Sequence, residues 1–401
     1  MPTFIDDPAF DAQFGRTLNA TMRGCGDLGE ALAVAARITP HDFASWATEW
    51  TAAAEDTMAD ATTAEQAGDL AGARRAYLRA NEYYRQAFFF ARTDLDDPVL
   101  KATYPAHVDA FRRAVPLLGC ATTVLEQERD GVVLNGYLFR PDDSGRPRPT
   151  VIAPAGYDST AENGYSLNAA SALDRGMNCL VVEGPGQGGV LYTRRLTLRH
   201  DYEAVLTPAV DWLLTQDGVD PDALILFGRS FAGYLAPRAA TADHRYAALV
   251  CDPAQYDFGQ GIRHQVGDEK WQRLQDHDPT LDADLAPMLA DPAARNGWQW
   301  RMTAHGVDSL SDYMRELSRY TVAGLADRIT CPTLALAGEG DFAGQGQLQT
   351  FADALTAPVT THEFTVAEGA GGHCEGLGQD LLDQYAFGWL ARTLNARGGA
   401  A

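Results

Sequence analysis

Ala223-Leu224-Ile225-Leu226-Phe227-Gly228-Arg229-Ser230-Phe231-Ala232-Gly233 carries five apolar residues directly into a serine flanked by small neighbours, with a small-residue helical stretch following over 231–240. A buried strand that turns sharply into a helix needs small residues on both sides of the turn so that the two elements can approach. The stretch therefore predicts a strand-to-helix elbow presenting Ser230 as a nucleophile. The pattern is Gly-x-Ser-x-Ala-Gly, with Ala232 where a second glycine is usual and Gly233 just behind it.

A serine hydroxyl is a poor nucleophile at neutral pH. It needs an imidazole to take its proton and a carboxylate to fix the imidazole tautomer. Downstream, Thr333-Leu334-Ala335-Leu336-Ala337-Gly338-Glu339-Gly340-Asp341 reads as a strand ending in a glycine-rich turn, and Val366-Ala367-Glu368-Gly369-Ala370-Gly371-Gly372-His373 as a loop ahead of a C-terminal helix. Asp341 and His373 are the expected partners of Ser230, with Glu339, nearer the strand end, as the rival acid. The anionic oxygen of a tetrahedral intermediate requires preorganised N–H donors. One is expected from Phe231 and a second from Tyr157, in the loop Pro154-Ala155-Gly156-Tyr157-Asp158-Ser159-Thr160 after an apolar run at 150–153, with Gly156 letting the chain turn. Gly156, Asp158, Glu162 and Arg229 are further candidates for the substrate pocket.

Working outward, strand candidates at 150–153, 179–182, 223–227, 247–251, 333–337 and 361–365 alternate with helical stretches at 161–173, 202–214, 231–240 and 347–355. That alternation predicts an α/β fold with a doubly wound, mostly parallel sheet. Ahead of it, period-two runs on either side of Asp130-Gly131 predict a hairpin. Residues 1–120 read as an all-helical domain, with apolar residues at three- and four-residue spacing and the aromatic cluster Tyr83-Tyr84 and Phe88-Phe89-Phe90 as core. Residues 121–401 form the sheet domain. The alternation lapses over about 256–325, where Trp271, Trp298, Trp300 and Tyr313 sit in helical spacing. A helical lid insertion is expected there, with Trp298, Trp300 and Tyr313 suited to a planar substrate.

A formal charge of −22 over 401 residues gives no basic face for nucleic acid or an anionic membrane. A small-molecule substrate is expected instead. No stretch has the uninterrupted apolar length of a membrane span, and the first residues lack the basic and apolar blocks of an export signal, so the expected location is cytoplasmic. The six cysteines lack metal-ligand spacing, and no His-Glu-x-x-His or carboxylate cluster occurs, so no metal is expected. Glu183-Gly184-Pro185-Gly186-Gln187-Gly188-Gly189 lacks the Lys-Ser/Thr of a phosphate-binding loop and reads as a tight turn, so no cofactor is expected. The helical domain would permit a homodimer, although no heptad seam demands one.

With these residues in hand, the chain resembles a branch of the α/β-hydrolase superfamily carrying an N-terminal helical domain. That branch includes 2,6-dihydroxypseudooxynicotine hydrolase, the fungal yellowish-green polyketide-shortening hydrolases, and bacterial proteins labelled dipeptidyl aminopeptidase or acylaminoacyl peptidase. The resemblance is carried by Tyr77-Leu78-Arg79-Ala80 with Tyr83-Tyr84-Arg85, Glu183-Gly184-Pro185-Gly186-Gln187-Gly188, Gly228-Arg229-Ser230-Phe231-Ala232-Gly233-Tyr234, Cys331-Pro332-Thr333-Leu334, and Glu368-Gly369-Ala370-Gly371-Gly372-His373-Cys374-Glu375. It implies a triad of Ser230, Asp341 and His373, a cleft between the helical domain and the sheet, and cleavage of carbon–carbon bonds next to a ketone in aryl ketones or polyketide chains. Glu183, where relatives tend to have Asp, and Ala232 depart from the pattern. The expected function is a serine hydrolase acting on a ketone-adjacent carbon–carbon bond or an ester in a bulky aromatic or polyketide-like molecule. An acyltransferase or cyclase using the same triad, and a non-catalytic ligand-binding module, are the alternatives.

Overall fold

The computed structural model describes residues 3–129, 131–344 and 346–398. Asp130, at the expected hairpin turn, lies outside the described residues, but the strands on either side of it are present. Eight strands form one sheet: β1 (Ala121–Arg129), β2 (Val132–Arg140), β3 (Arg148–Pro154), β4 (Asn178–Glu183), β5 (Val219–Arg229), β6 (Tyr246–Asp252), β7 (Thr333–Gly338) and β8 (Val359–Phe364). Their order is β1-β2-β4-β3-β5-β6-β7-β8. β2 runs antiparallel to β4, and every pairing from β4 through β3, β5, β6 and β7 to β8 is parallel. The α/β doubly wound sheet expected from the alternation is the one observed.

The central strands are continuous apolar runs because both of their faces are covered. Every residue of β4 and of β6 is buried. β8, at the sheet edge, instead alternates exposed with half-buried positions. β5 begins at Val219, earlier than its apolar run, because the Asp220-Pro221-Asp222 segment, half-buried at 220 and exposed at 221 and 222, is extended without being hydrophobic.

The chain divides into two compact units: residues 1–122 with 287–303, and residues 123–286 with 304–401. In the first, helices Pro8–Thr21, Leu28–Ala35, Phe43–Gln66, Leu70–Phe88 and Pro98–Ala114 each start behind an aspartate, at 7, 27, 42, 69 and 97, whose carboxylate accepts the open N–H groups of the first turn. Phe10, Trp46, Trp50, Tyr83 and Phe90 fill its interior, with ring centroids 4.9–5.9 Å apart along Phe10–Trp46, Trp46–Trp50, Trp50–Tyr83 and Phe10–Phe90. The 287–303 segment joins this unit through Asn296, whose Nδ2 donates to the Phe90 carbonyl at 2.8 Å, and Thr303, whose hydroxyl donates to the Thr93 carbonyl at 2.7 Å. The buried ring of Trp300 lies 4.2 Å from the Arg92 guanidinium carbon.

Between β6 and β7 the chain is helical: Phe258–Val266, Asp268–Gln275, Leu281–Leu285, Pro292–His305 and Leu310–Leu317. An isolated bridge pairs Asp257 with Thr321 where this excursion leaves and rejoins. No helix among the described residues is long and apolar enough to cross a membrane.

Candidate active site

Ser230 directly follows β5 and precedes the Ala232–Ala240 helix, at φ +59°, a left-handed conformation that a residue with a side chain adopts only when the surroundings hold it. Its N–H donates to the Asp252 carbonyl at 2.6 Å, and its carbonyl accepts from the Gly233 N–H at 2.8 Å and the Gln255 side-chain amide at 2.6 Å. The close approaches fall at Gly228 and Gly233. A Cβ on Gly228 would sit 2.0 Å from the Ala232 carbonyl oxygen, and one on Gly233 would sit 2.1 Å from that of Pro253. Position 232 itself carries its methyl group fully buried, which is why alanine is accommodated there.

The Ser230 hydroxyl lies 2.8 Å from Nε2 of His373, and Nδ1 of the same ring lies 2.9 and 3.0 Å from the two carboxylate oxygens of Asp341. Asp341 follows β7, and His373 ends the Gly371-Gly372 loop after β8. Burial on its own would raise the Asp341 carboxyl. The His373 hydrogen bond and charge, with the N–H groups of Ala343 and Cys374, hold it below its ordinary value instead. An ionised Asp341 is acceptor-only, so Nδ1 carries the proton and the Nε2 lone pair faces the serine. Glu339 is occupied elsewhere, its carboxylate accepting the Val366 N–H at 2.7 Å. The exposed Phe342 ring, 68% accessible, stands 5.0 Å from the His373 ring.

Opposite the elbow, a Cβ on Gly156 would meet the Arg229 carbonyl oxygen and Ser230 Cβ, both at 3.2 Å, so the loop after β3 lies against the serine because residue 156 has no side chain. The N–H of Phe231 has no acceptor among the described residues. The Tyr157 ring rests on that of Phe231, centroids 4.0 Å apart. The loop is tethered from below. The Gln187 side-chain amide donates to the Ala155 carbonyl, while its oxygen accepts from Gly184 N–H at 2.9 Å and Tyr202 hydroxyl at 2.6 Å. Glu183, fully buried at the end of β4, accepts from the N–H groups of Ala161 at 2.5 Å and Gly189 at 2.8 Å and from Asn135 at 2.9 Å. Burial, followed by the nearby Glu162 charge, pushes its carboxyl above the usual range. The Glu183-to-Gly189 stretch is thus a tight turn, packed so closely that a Cβ on Gly188 would stand 1.9 Å from Glu183 Oε1.

The remaining candidates are distributed differently. Glu162 is buried, receives the Tyr137 hydroxyl at 2.9 Å and lies beneath the loop, and Asp158 sits half-buried one residue past Tyr157. Arg229 points into the sheet domain's interior, its guanidinium held by Asp383 and Gln379, each at 2.8 Å, which makes it an anchor for the last helix and not a pocket residue. Trp298 and Trp300, expected in a lid, belong with the N-terminal helices; Trp300 is drawn there by the Arg92 cation beneath its ring. Tyr313 is buried, its ring 5.3 Å from that of His305. His305 bonds to Tyr157 through Nε2 and was not singled out by the sequence. Also unanticipated are Asp252 and Glu375, fully buried carboxyls behind the serine; burial, and for Glu375 the Asp252 charge, raises both. Cys374 places its sulfur 3.7 Å from His373 Nε2, and burial pushes that thiol up from its ordinary value.

A family model described as X-Pro dipeptidyl-peptidase (S15 family) matches residues 130–375. The chain is 31% identical to Hydrolase LUC6 of Fusarium sp, with 97% of each chain covered. It is 35% identical to 20-hydroxy-prefusarin hydrolase FUS2 of Gibberella moniliformis, over 83% of this chain and 82% of that one. The crystal structure of 2,6-dihydroxy-pseudo-oxynicotine hydrolase superposes with a TM-score of 0.73 at 22% identity, covering 94% of this chain and 96% of the other, a likeness of fold. The sheet, the elbow and these matches agree with the resemblance read from the sequence: the chain belongs to the family described as X-Pro dipeptidyl-peptidase (S15 family) and is an α/β-hydrolase-fold enzyme.

Proposed function

We propose that this enzyme is a serine hydrolase that cleaves a ketone-adjacent carbon–carbon bond, or an ester, in a bulky aromatic or polyketide-like small molecule. The observation that carries the reading is the Ser230–His373–Asp341 relay at 2.8 and 2.9 Å. Ser230 Oγ attacks the substrate carbonyl carbon while Nε2 of His373 takes the hydroxyl proton, and Asp341 stabilises the imidazolium. The carbonyl oxygen becomes anionic and is met by the N–H groups of Phe231 and Tyr157. Collapse of the tetrahedral intermediate breaks the bond to the leaving group, which takes the proton from His373. A carbanion can leave only if delocalised as an enolate or into an aryl ring, which is why the carbon–carbon reading requires a second carbonyl or a phenol beside the scissile bond. Water, deprotonated by His373, then releases the acyl group as an acid.

The small-molecule reading is supported by the full-length likeness to fungal proteins named as hydrolases, one of them a 20-hydroxy-prefusarin hydrolase. The open Phe342 ring beside His373 offers an aromatic substrate a flat apolar face. The reading is tested by incubating the enzyme and Ser230→Ala with aryl β-diketones, aromatic polyketides and aryl esters in ¹⁸O-water. One labelled oxygen in the acid product, seen with the wild type and absent with the variant, supports hydrolysis. Products of unlabelled acyl transfer would assign the same triad to an acyltransferase, and identical products from both proteins would remove Ser230 from the chemistry.

A further inference from the structure

The two N–H groups proposed to hold the oxyanion belong to residues whose side chains also meet. The Tyr157 and Phe231 rings lie 4.0 Å apart at a 37° tilt, and both neighbour one imidazole: His305 lies 5.7 Å from the Tyr157 ring and 6.4 Å from the Phe231 ring, centroid to centroid. Nε2 of His305 shares a hydrogen bond with the Tyr157 hydroxyl. His305 itself is buried at the end of the Pro292–His305 helix, 5% accessible, and is gripped edge-on by Tyr320 at 5.1 Å and Tyr313 at 5.3 Å. Tyr320 in turn packs against Phe231 at 5.5 Å. The three rings of Tyr157, Phe231 and His305 therefore close a triangle on one side of Ser230.

Apolar packing alone leaves a ring on a loop free to slide. A hydrogen bond within a part-buried cluster adds a directional preference for one rotamer that packing alone lacks. Tyr157 follows Gly156, which lies against Ser230 Cβ, so holding the Tyr157 side chain limits how far the peptide that carries its N–H can shift relative to the serine. Oxyanion donors act through geometry, and an ångström of misplacement costs on the order of a hundredfold in rate.

We propose that His305 is a positioning residue for the oxyanion hole: by bonding the Tyr157 hydroxyl it aims the Tyr157 N–H, alongside that of Phe231, at the oxygen that becomes negative. This rests on the assignment of Ser230 as nucleophile. It extends the site to a residue 75 positions beyond the serine that takes no part in proton transfer to it.

Phosphonylation by a fluorophosphonate tests it, because the phosphoryl oxygen occupies the same hole. Saturation kinetics on the full chain give a maximal labelling rate and an apparent binding constant for the wild type, Tyr157→Phe, His305→Phe, the double variant and His305→Gln. The expected result is a maximal rate lower by about 10- to 100-fold in both single phenylalanine variants, with binding changed less than about threefold. The double variant should be no slower than the slower single one, and His305→Gln, which keeps a polar atom near Nε2, should recover much of the loss. Tyr157→Phe removes one oxygen and retains both ring and backbone, so it serves if the histidine variants do not fold. Rates within about twofold of wild type in Tyr157→Phe, losses that multiply in the double variant, or equal losses in His305→Gln and His305→Phe would overturn the proposal. A wild-type enzyme labelled elsewhere than Ser230 would instead overturn the nucleophile assignment, and this proposal with it.

Discussion

Single atoms would decide the proposed chemistry at Ser230, His373 and Asp341. Replacing Ser230 with alanine removes the oxygen that lies 2.8 Å from His373 Nε2, so kcat should fall by at least ~10⁴-fold with the melting temperature nearly unchanged. Asp341→Asn keeps the shape but presents an amide to Nδ1, which favours the wrong tautomer; a loss of about 10⁴-fold in kcat is expected. Glu339→Gln should cost less than about threefold, because that carboxylate serves the Val366 N–H and not the imidazole. Steady-state kinetics with one substrate separate the three. The meeting of Ser230, Asp341 and His373 was legible in the sequence because each follows a strand candidate, and strand ends are where a parallel sheet gathers its functional groups. Arg229 misled for the same reason: adjacency to the serine looked like access to the pocket, but strand alternation turns its side chain to the other side, toward Asp383. The Tyr157–His305 bond joins residues 148 positions apart, and no spacing rule connects them.

At the scale of elements, the elbow works because β5 meets the helix backbone at Gly228 and the helix meets the backbone just past β6 at Gly233. Gly228→Ala should therefore destabilise the protein by about 2–3 kcal/mol, or prevent folding, since the new methyl would overlap the Ala232 carbonyl. Ala232→Gly, which restores the commoner serine motif, should change stability by no more than about 1 kcal/mol, in the destabilising direction, through helix propensity. Urea denaturation of the two variants provides the comparison. Strand positions were readable from runs of Val, Leu, Ile and Ala, and missed residues lie at strand ends, as with the polar start of β5. The α-helix expected over 161–173 is shorter: residues 161–163 form a turn whose Ala161 N–H donates to the Glu183 carboxylate, followed by a π-helix at Tyr165–Ala169 and α-helix at Ala170–Leu173. A buried acceptor one strand away outweighed local propensity there, and nothing within the segment announces it.

For the whole molecule, the buried acids set a pH dependence. Glu375 is fully buried and its carboxyl is raised by burial and by Asp252. The folded chain keeps this proton at pH values where the unfolded chain, with an ordinary value of 4.5, has lost it. The stability it contributes is thus complete below that ordinary value and declines as pH rises toward the raised one. Between about pH 5 and about pH 9, the melting temperature of Glu375→Gln should fall less steeply than that of the wild type; parallel curves would show that Glu375 does not carry the slope. A second whole-molecule expectation follows from Trp300. A fragment beginning at residue 123 retains that tryptophan without the Arg92 side it packs on, leaving roughly 150–250 Å² of ring and neighbouring surface open to water, about 4–6 kcal/mol of lost burial. Such a fragment should bind a hydrophobic dye and aggregate on warming where the full chain does not.

The membership of residues 287–303 in the first unit also constrains how the chain is made. A ribosome delivers the first 122 residues early, but the last piece of their fold emerges only after β5 and β6 have been synthesised, roughly ten to thirty seconds later at ordinary elongation rates. Until then the nascent helices have an unfilled seat for one more helix. Vectorial synthesis thus obliges the early part of this enzyme to wait for the late part, and gene fusions or domain exchanges cut at a single point near residue 122 would divide a unit that the chain visits twice.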